Sequence, residues 1–167
     1  MRATSREKSY FIAEKAEAGL PELQMQRSLG LRVMAFELTK NIEKHLVNDE
    51  IVWLTTVTPS GRPAPRPVWF LWDGSAITVY SEPNVAKLKH IAANDQVSLH
   101  FNSTPDGGDV VVISGRAEIV SDAPLPSALP EFVDKYRARI AAMGNTPEWY
   151  DSYSTAIRIT PDRTWSF

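Results

Sequence analysis

Ser81 and Lys87 stand close enough in sequence to hold a phosphate between them. Ser81 ends a run of β-branched and aromatic residues, and Lys87 follows in Glu82-Pro83-Asn84-Val85-Ala86-Lys87, where a helix opens. A helix start offers free backbone N–H groups and partial positive charge. Ser81 adds a hydroxyl, and Lys87, about one turn in, can reach back with its ammonium; together they would make a phosphate cradle. Arg62 and Arg66, on the neighbouring strand, could add positive charge. Each residue also has an ordinary reading. Lys87 and Lys89 could solvate a helix face, Ser81 could be a plain cap, and Arg62 could face solvent beside a turn. Trp53, Trp69 and Trp72 are more often core than cofactor stackers.

The elements around this constellation read mainly as β. Residues 37–48 form a helix with Leu38, Ile42, His45 and Leu46 on one face. Ile51 to Thr58 suits a strand, Pro59-Ser60-Gly61 a turn, and Val68 to Trp72 a second strand, apolar on both faces. Asp73-Gly74 makes a tight hairpin turn into a third strand, Ala76 to Ser81, so the three form a meander. A short helix at about 84–93 has Pro83 in its first turn. Val97 to Phe101 alternates as a strand, and Asp109 to Val120 is a long strand with Gly115 marking a bulge. Residues 121–130 form a connection. Residues 131–143 make a helix stopped by Gly144, and Thr146-Pro147-Glu148 starts another. Ala156 to Thr160 and Arg163 to Phe167 are the last strands. Short, closely spaced strands suggest a closed barrel. The second apolar face of Val68–Trp72 then needs cover from a helix, a ligand or a second subunit.

Composition narrows the classes. The 167 residues fit one domain, expected at 34–167. Residues 1–33 form an extension with six basic residues against four glutamates. It reads as a docking arm, a frayed segment or sequence upstream of a true start at Met34. A net charge of −2 gives no global field for nucleic acid. The absence of cysteine excludes disulfides, thiolate metal sites and a cysteine nucleophile, and no metal site is expected. No apolar run approaches a membrane span and no signal-peptide core is present, so a cytoplasmic location is the expectation.

The order of these motifs carries a resemblance. A strand, the Gly61-Arg62-Pro63 turn, Pro67-Val68-Trp69-Phe70, the Asp-Gly hairpin, Ser81 to Lys87 and on to Ile91, then Val97-x-Leu99-x-Phe101, resembles the pyridoxamine 5'-phosphate oxidase-like family over roughly 37–167. The run Pro67-Val68-Trp69-Phe70-Leu71-Trp72 looks like the branch that uses the deazaflavin coenzyme F420 in actinobacteria. The resemblance implies an FMN-binding-like split β-barrel, mainly β (α+β) with a few peripheral helices, and a homodimer with cofactor grooves between subunits. By position it makes Ser81 and Lys87 the cofactor phosphate ligands. Thr55, Thr56 and Arg62 sit near the same groove, and Pro67, Val68, Trp69 and Phe70 form the strand along the cofactor ring. Trp165 is contributed to the groove of the partner subunit. The chain departs from true pyridoxamine phosphate oxidases. Asp109-Val110-Val111-Val112-Ile113 lacks their basic substrate ligands, and Arg158-Ile159-Thr160-Pro161-Asp162-Arg163 lacks their basic C-terminal signature.

The implied reaction is hydride transfer to or from an activated alkene, imine or quinone-like small molecule, with F420 as cofactor and FMN as the alternative. No catalytic residue is fixed; Tyr80, a histidine or water could supply the proton. His45, His90 and His100 are scattered and read as structural. A cofactor-binding protein without turnover is a second reading. A nucleic-acid-binding small barrel with Trp53, Trp69 and Phe70 as stacking platforms is a third, disfavoured by charge.

Overall fold

A computed structural model describes residues 36–167. The extension expected at 1–33 lies outside the described residues. Helix α1 (Lys40–Asn48) starts at Thr39, whose side-chain oxygen accepts from the Ile42 N–H at 3.3 Å, and it buries Ile42, His45 and Leu46. Strands β1 (Val52–Val57), β2 (Pro63–Val68), β3 (Phe70–Trp72) and β4 (Ile77–Ser81) follow. Helix α2 (Ala86–Ala93) leads to β5 (Gln96–His100) and β6 (Val111–Val120). A 3₁₀ turn at Pro126–Ala128 precedes α3 (Pro130–Met143) and α4 (Pro147–Asp151), and β7 (Thr155–Ser166) comes last. Gly144, at φ 65°, ends α3 in the left-handed conformation, the stop expected of it. Among the described residues no helix is long and apolar enough to cross a membrane.

The strands form one antiparallel seven-stranded sheet in the order β2-β1-β5-β6-β7-β4-β3. The two ends of that order are consecutive in sequence. β2 pairs with β1 (Val52 opposite Val68), the chain leaves the ladder at Trp69, and β3 pairs with β4 (Phe70 opposite Val79). One segment, Pro63–Trp72, thus supplies both edges and curls the sheet into a half-barrel. Its interior is filled from every wall: Val52 and Leu54 of β1, Phe70, Val79, Leu99, Ile113, Ile157 and Ile159, with Ile42 and Leu46 of α1 packed against them.

Four expectations change. The second strand begins at Pro63, not Val68, because Pro63, Pro65 and Pro67 hide it from a pattern reading. A proline cannot donate to a ladder, yet it is tolerated where its nitrogen faces away from the neighbouring strand. The meander is opened, since its middle segment splits into β2 and β3, which lie at opposite ends of the strand order. The helix after Ser81 starts at Ala86, with Val85 as its N-cap, because Asn84 takes a left-handed φ of 64° and Pro83 lies before the helix. The last two strands are one, β7, running through Pro161.

The bulge at Gly115 holds. Register passes from Ser114 opposite Arg163 to Gly115 opposite Pro161, so the extra residue, Asp162, lies on β7. A Cβ on Gly115 would lie 2.5 Å from the Thr160 carbonyl oxygen, so only glycine fits without a shift. The carbonyl of Asp162, freed from the ladder, accepts from the Phe36 N–H at 2.9 Å.

The second apolar face of the Val68–Trp72 segment is covered within the chain. Trp69 and Leu71 pack on a second cluster built from Tyr80, Phe132, Tyr136, Tyr150 and Ala156. Trp69 stacks on Tyr136 of α3 with ring centres 4.3 Å apart and planes 7° from parallel. The Tyr136 hydroxyl accepts from the Phe70 N–H at 2.7 Å and donates to the Phe70 carbonyl at 2.7 Å, with the Glu50 carbonyl 3.1 Å away. The phenol thereby fills the place of a further strand.

Candidate functional site

Where β2 leaves the sheet, the break at Trp69 opens a cavity of about 230 Å³. Pro67, Val68 and Trp69 form one wall. Phe132 of α3, Trp149 and Tyr150 of α4, and Tyr153 just beyond it, form the other. Ile51, Tyr80 and Lys87 complete it. Trp149 meets Trp69 edge-on with centroids 6.2 Å apart, and Tyr153 leans on Trp149 at 5.3 Å. Aromatic faces and one ammonium therefore line this space.

Ser81 and Lys87 meet as their spacing suggests. Ser81 is fully buried at the end of β4. Its hydroxyl donates to the Glu82 carbonyl at 3.1 Å and accepts from Lys87 Nζ at 3.3 Å. Lys87 is the second residue of α2, and no side chain caps that helix, which leaves its first amides available. Burial lowers the Lys87 pKa; Glu82 opposes this and Arg66 adds to it by repulsion. A half-buried ammonium with a second cation in its field favours an anion beside it.

The remaining expected residues divide. Thr55 and Thr56 point to opposite faces of β1. Thr56 is buried inside the barrel, its hydroxyl 2.9 Å from His90 Nδ1. Thr55 is half-buried on the outer face, opposite Pro65 and Ser98. Arg62 is exposed in the turn before β2, its N–H bonded to the Thr58 hydroxyl at 3.0 Å. Arg66 is exposed and donates to the Pro65 carbonyl at 2.7 Å. Phe70 does not reach the cavity. It turns into the barrel core, with Lys135 Nζ 3.7 Å from its ring centre. Trp165 is absent from the wall of its own chain's cavity; it is 51% exposed on β7 and meets Phe167 edge-on at 4.9 Å.

The sequence reading missed Trp149, Tyr150 and Tyr153. Their only signal was aromatic spacing after Thr146-Pro147, which says nothing about where α4 docks. It also passed over a row on the outer face. Pro67, Trp53, His100, Val112 and Trp165 are successive cross-strand partners over five strands. Trp53 stacks on His100 with centroids 6.0 Å apart, and the row ends at Pro67 on the cavity rim.

Solved structures share this architecture. An F420 reductase aligns with a TM-score of 0.56 at 24% identity, over 73% of this chain and 94% of that one. General stress protein 26 from Bacillus anthracis aligns with a TM-score of 0.57 at 19% identity, over 75% and 90%. HutZ, a heme storage protein from Vibrio cholerae, aligns at 0.53 and 15% identity, over 78% and 95%. At such identities the likeness is one of fold, the split β-barrel, and its members have diverse functions. No curated protein matches the chain. The family pattern described as pyridoxamine 5'-phosphate oxidase matches residues 38–167, which takes in every strand, the Ser81–Lys87 pair and the aromatic wall, so the chain belongs to the pyridoxamine 5'-phosphate oxidase family.

Proposed function

We propose that this chain is an oxidoreductase that binds coenzyme F420 in preference to FMN and acts on an activated alkene, imine or quinone-like small molecule. The observation that carries the reading is Lys87, half-buried on the Ser81 hydroxyl at the end of an aromatic cavity. The donor set fits a cofactor phosphate: an ammonium, a hydroxyl and the uncapped start of α2. Arg66, already in the electrostatic field of Lys87, and exposed Arg62 and Lys89 suit an acidic tail beyond that phosphate. When bound, the cofactor supplies two-electron hydride chemistry. The protein's share is to anchor the phosphate at Ser81 and Lys87, to flank the reaction space with Trp69 and Trp149, and to exclude water with α3 and α4. The strand after Asp109 does not suit a vitamin B6 phosphate, because Val111 and Ile113 point into the core and Val112 lies on the outer face beside Trp165.

The working unit in this reading is a homodimer. The cavity is smaller than the roughly 300–1,000 Å³ of most small-molecule pockets. The outer row reaches its rim at Pro67, so a copy docked on that row would deepen the cavity, as expected of the partner subunit's Trp165.

Titration of wild type and Lys87→Ala with F420 and with FMN tests the cofactor reading. Loss of one charge-assisted hydrogen bond, worth about 1.5–3 kcal/mol, weakens affinity about 10- to 150-fold. The fold should survive, since Lys87 fills no core position. Unchanged affinity for both cofactors would remove Lys87 from the site. Tight FMN binding with indifference to F420 would overturn the preference.

A further inference from the structure

Among the described residues, four side chains bring a hydroxyl or ammonium to the cavity wall: Tyr80, Lys87, Tyr150 and Tyr153. Two are committed. The Tyr80 hydroxyl donates to the Pro124 carbonyl at 2.8 Å, and Lys87, bonded to Ser81, has its remaining N–H groups assigned to the cofactor phosphate. Tyr153 is only half-buried, leaning on Trp149. No histidine lines the cavity. His90 is paired with Thr56, His45 with two aspartates, and His100 stacks on Trp53 outside the barrel.

Tyr150 differs from the other three. The residue is only 6% exposed, and its hydroxyl has no protein partner among the described residues. Yet no fully buried side-chain oxygen or nitrogen among those residues lacks a partner. The Tyr150 hydroxyl is therefore not sealed off by protein, and its residue lines the cavity. A phenol held this way is an unspent hydrogen-bond donor in a mostly aromatic site, the arrangement that orients a ligand. Flat rings around it, Trp69, Phe132 and Trp149, favour a flat guest.

We infer that Tyr150 donates a hydrogen bond to a carbonyl oxygen of a planar conjugated acceptor, a quinone or an enone, bound in this cavity. The inference rests on the reading that the cavity receives the reaction partner of the cofactor. It takes Tyr80 and the histidines out of the role of group facing that partner.

Equilibrium dialysis of the full chain against 1,4-naphthoquinone and against naphthalene tests it, with and without saturating F420. The chain has no cysteine for the quinone to alkylate. Wild type should bind the quinone more tightly than the hydrocarbon, with F420 present as well as absent. Tyr150→Phe, which keeps the ring, should weaken quinone binding about two- to twelvefold, the range of one neutral hydrogen bond. Its affinity for naphthalene, F420 and FMN should stay as in wild type. Four results would overturn the inference. They are a wild type that binds the quinone no better than naphthalene, equal losses for both probes, displacement of the quinone by F420, or weakened cofactor binding in Tyr150→Phe. Tyr150-dependent quinone binding by a protein that takes neither cofactor would support Tyr150 and refute the cofactor reading alone.

Discussion

Replacing Tyr136 by phenylalanine deletes one oxygen atom from the fully buried junction of barrel and α3. The ring stays, so the stack on Trp69 stays. The hydroxyl serves the Phe70 N–H and the Phe70 carbonyl, both at 2.7 Å. Without it two buried backbone groups lose their partner, and each unsatisfied group costs about 1–3 kcal/mol. Small backbone relaxation trims the sum, so the expected destabilisation is roughly 2–4 kcal/mol. With an unfolding entropy near 2.1 cal/mol/K per residue, a domain of about 130 residues shifts its midpoint by roughly 4 °C per kcal/mol. Tyr136→Phe should therefore melt about 7–15 °C below wild type by calorimetry. Urea titration should show an unchanged m-value, because the surface exposed on unfolding is the same. A drop below about 3 °C would refute the argument that this phenol stands in for a strand.

Two further outcomes concern the two ends of the molecule. His45 is buried between Asp49, 2.7 Å from Nδ1, and Asp109, 3.1 Å from Nε2, with Lys44 and Asn41 also on Asp109. Burial alone would lower its pKa, but the bonds to Asp49 and Asp109 outweigh it and the pKa is raised. Asp109 itself, held by Asn41 first and then His45, is pulled down to about 2 and stays ionised. A raised folded pKa stabilises fully below the unfolded value of about 6.5 and fades as pH climbs through the folded value. Denaturant titrations of His45→Gln against wild type should show a gap that is widest near pH 6 and narrower near pH 9; a gap constant with pH refutes the charged bridge. At micromolar concentration, wild type should sediment as a dimer and Trp165→Glu as a monomer, since a charge in the outer row would be buried unpaired. A monomeric wild type sinks the dimer reading.

What the sequence disclosed was local. Ser81 and Lys87 lie six residues apart across one turn and a helix start, so their meeting needed no knowledge of the rest of the fold. Gly144 and the Gly115 bulge were legible for the same reason. The aromatic wall was not, because α4 reaches Trp69 only through the packing of α3 on a segment some sixty residues earlier. His45 finds Asp109 across 64 residues, a pairing no periodicity encodes. Thr55 and Thr56 looked equivalent because composition does not fix which of two neighbours faces inward; register does. Phe70 was drawn into the site as part of a motif, yet the break at Trp69 sends it to the core. Prolines masked β2 because their usual meaning, no strand, holds only away from an edge.

The segment Pro63–Trp72 also decides how copies of this protein can stick together. Its β2 half borders open space with Pro63, Pro65 and Pro67 turned outward, so that border has carbonyls but no N–H at these positions, and Arg66 already occupies the Pro65 carbonyl. Its β3 half is blocked at Phe70 by the Tyr136 hydroxyl. A stray β-strand from another chain therefore finds no ladder to extend at either border, and fibril-like growth has no place to start. What these borders leave for contact between copies is side chains on the faces of the sheet, not a shared ladder.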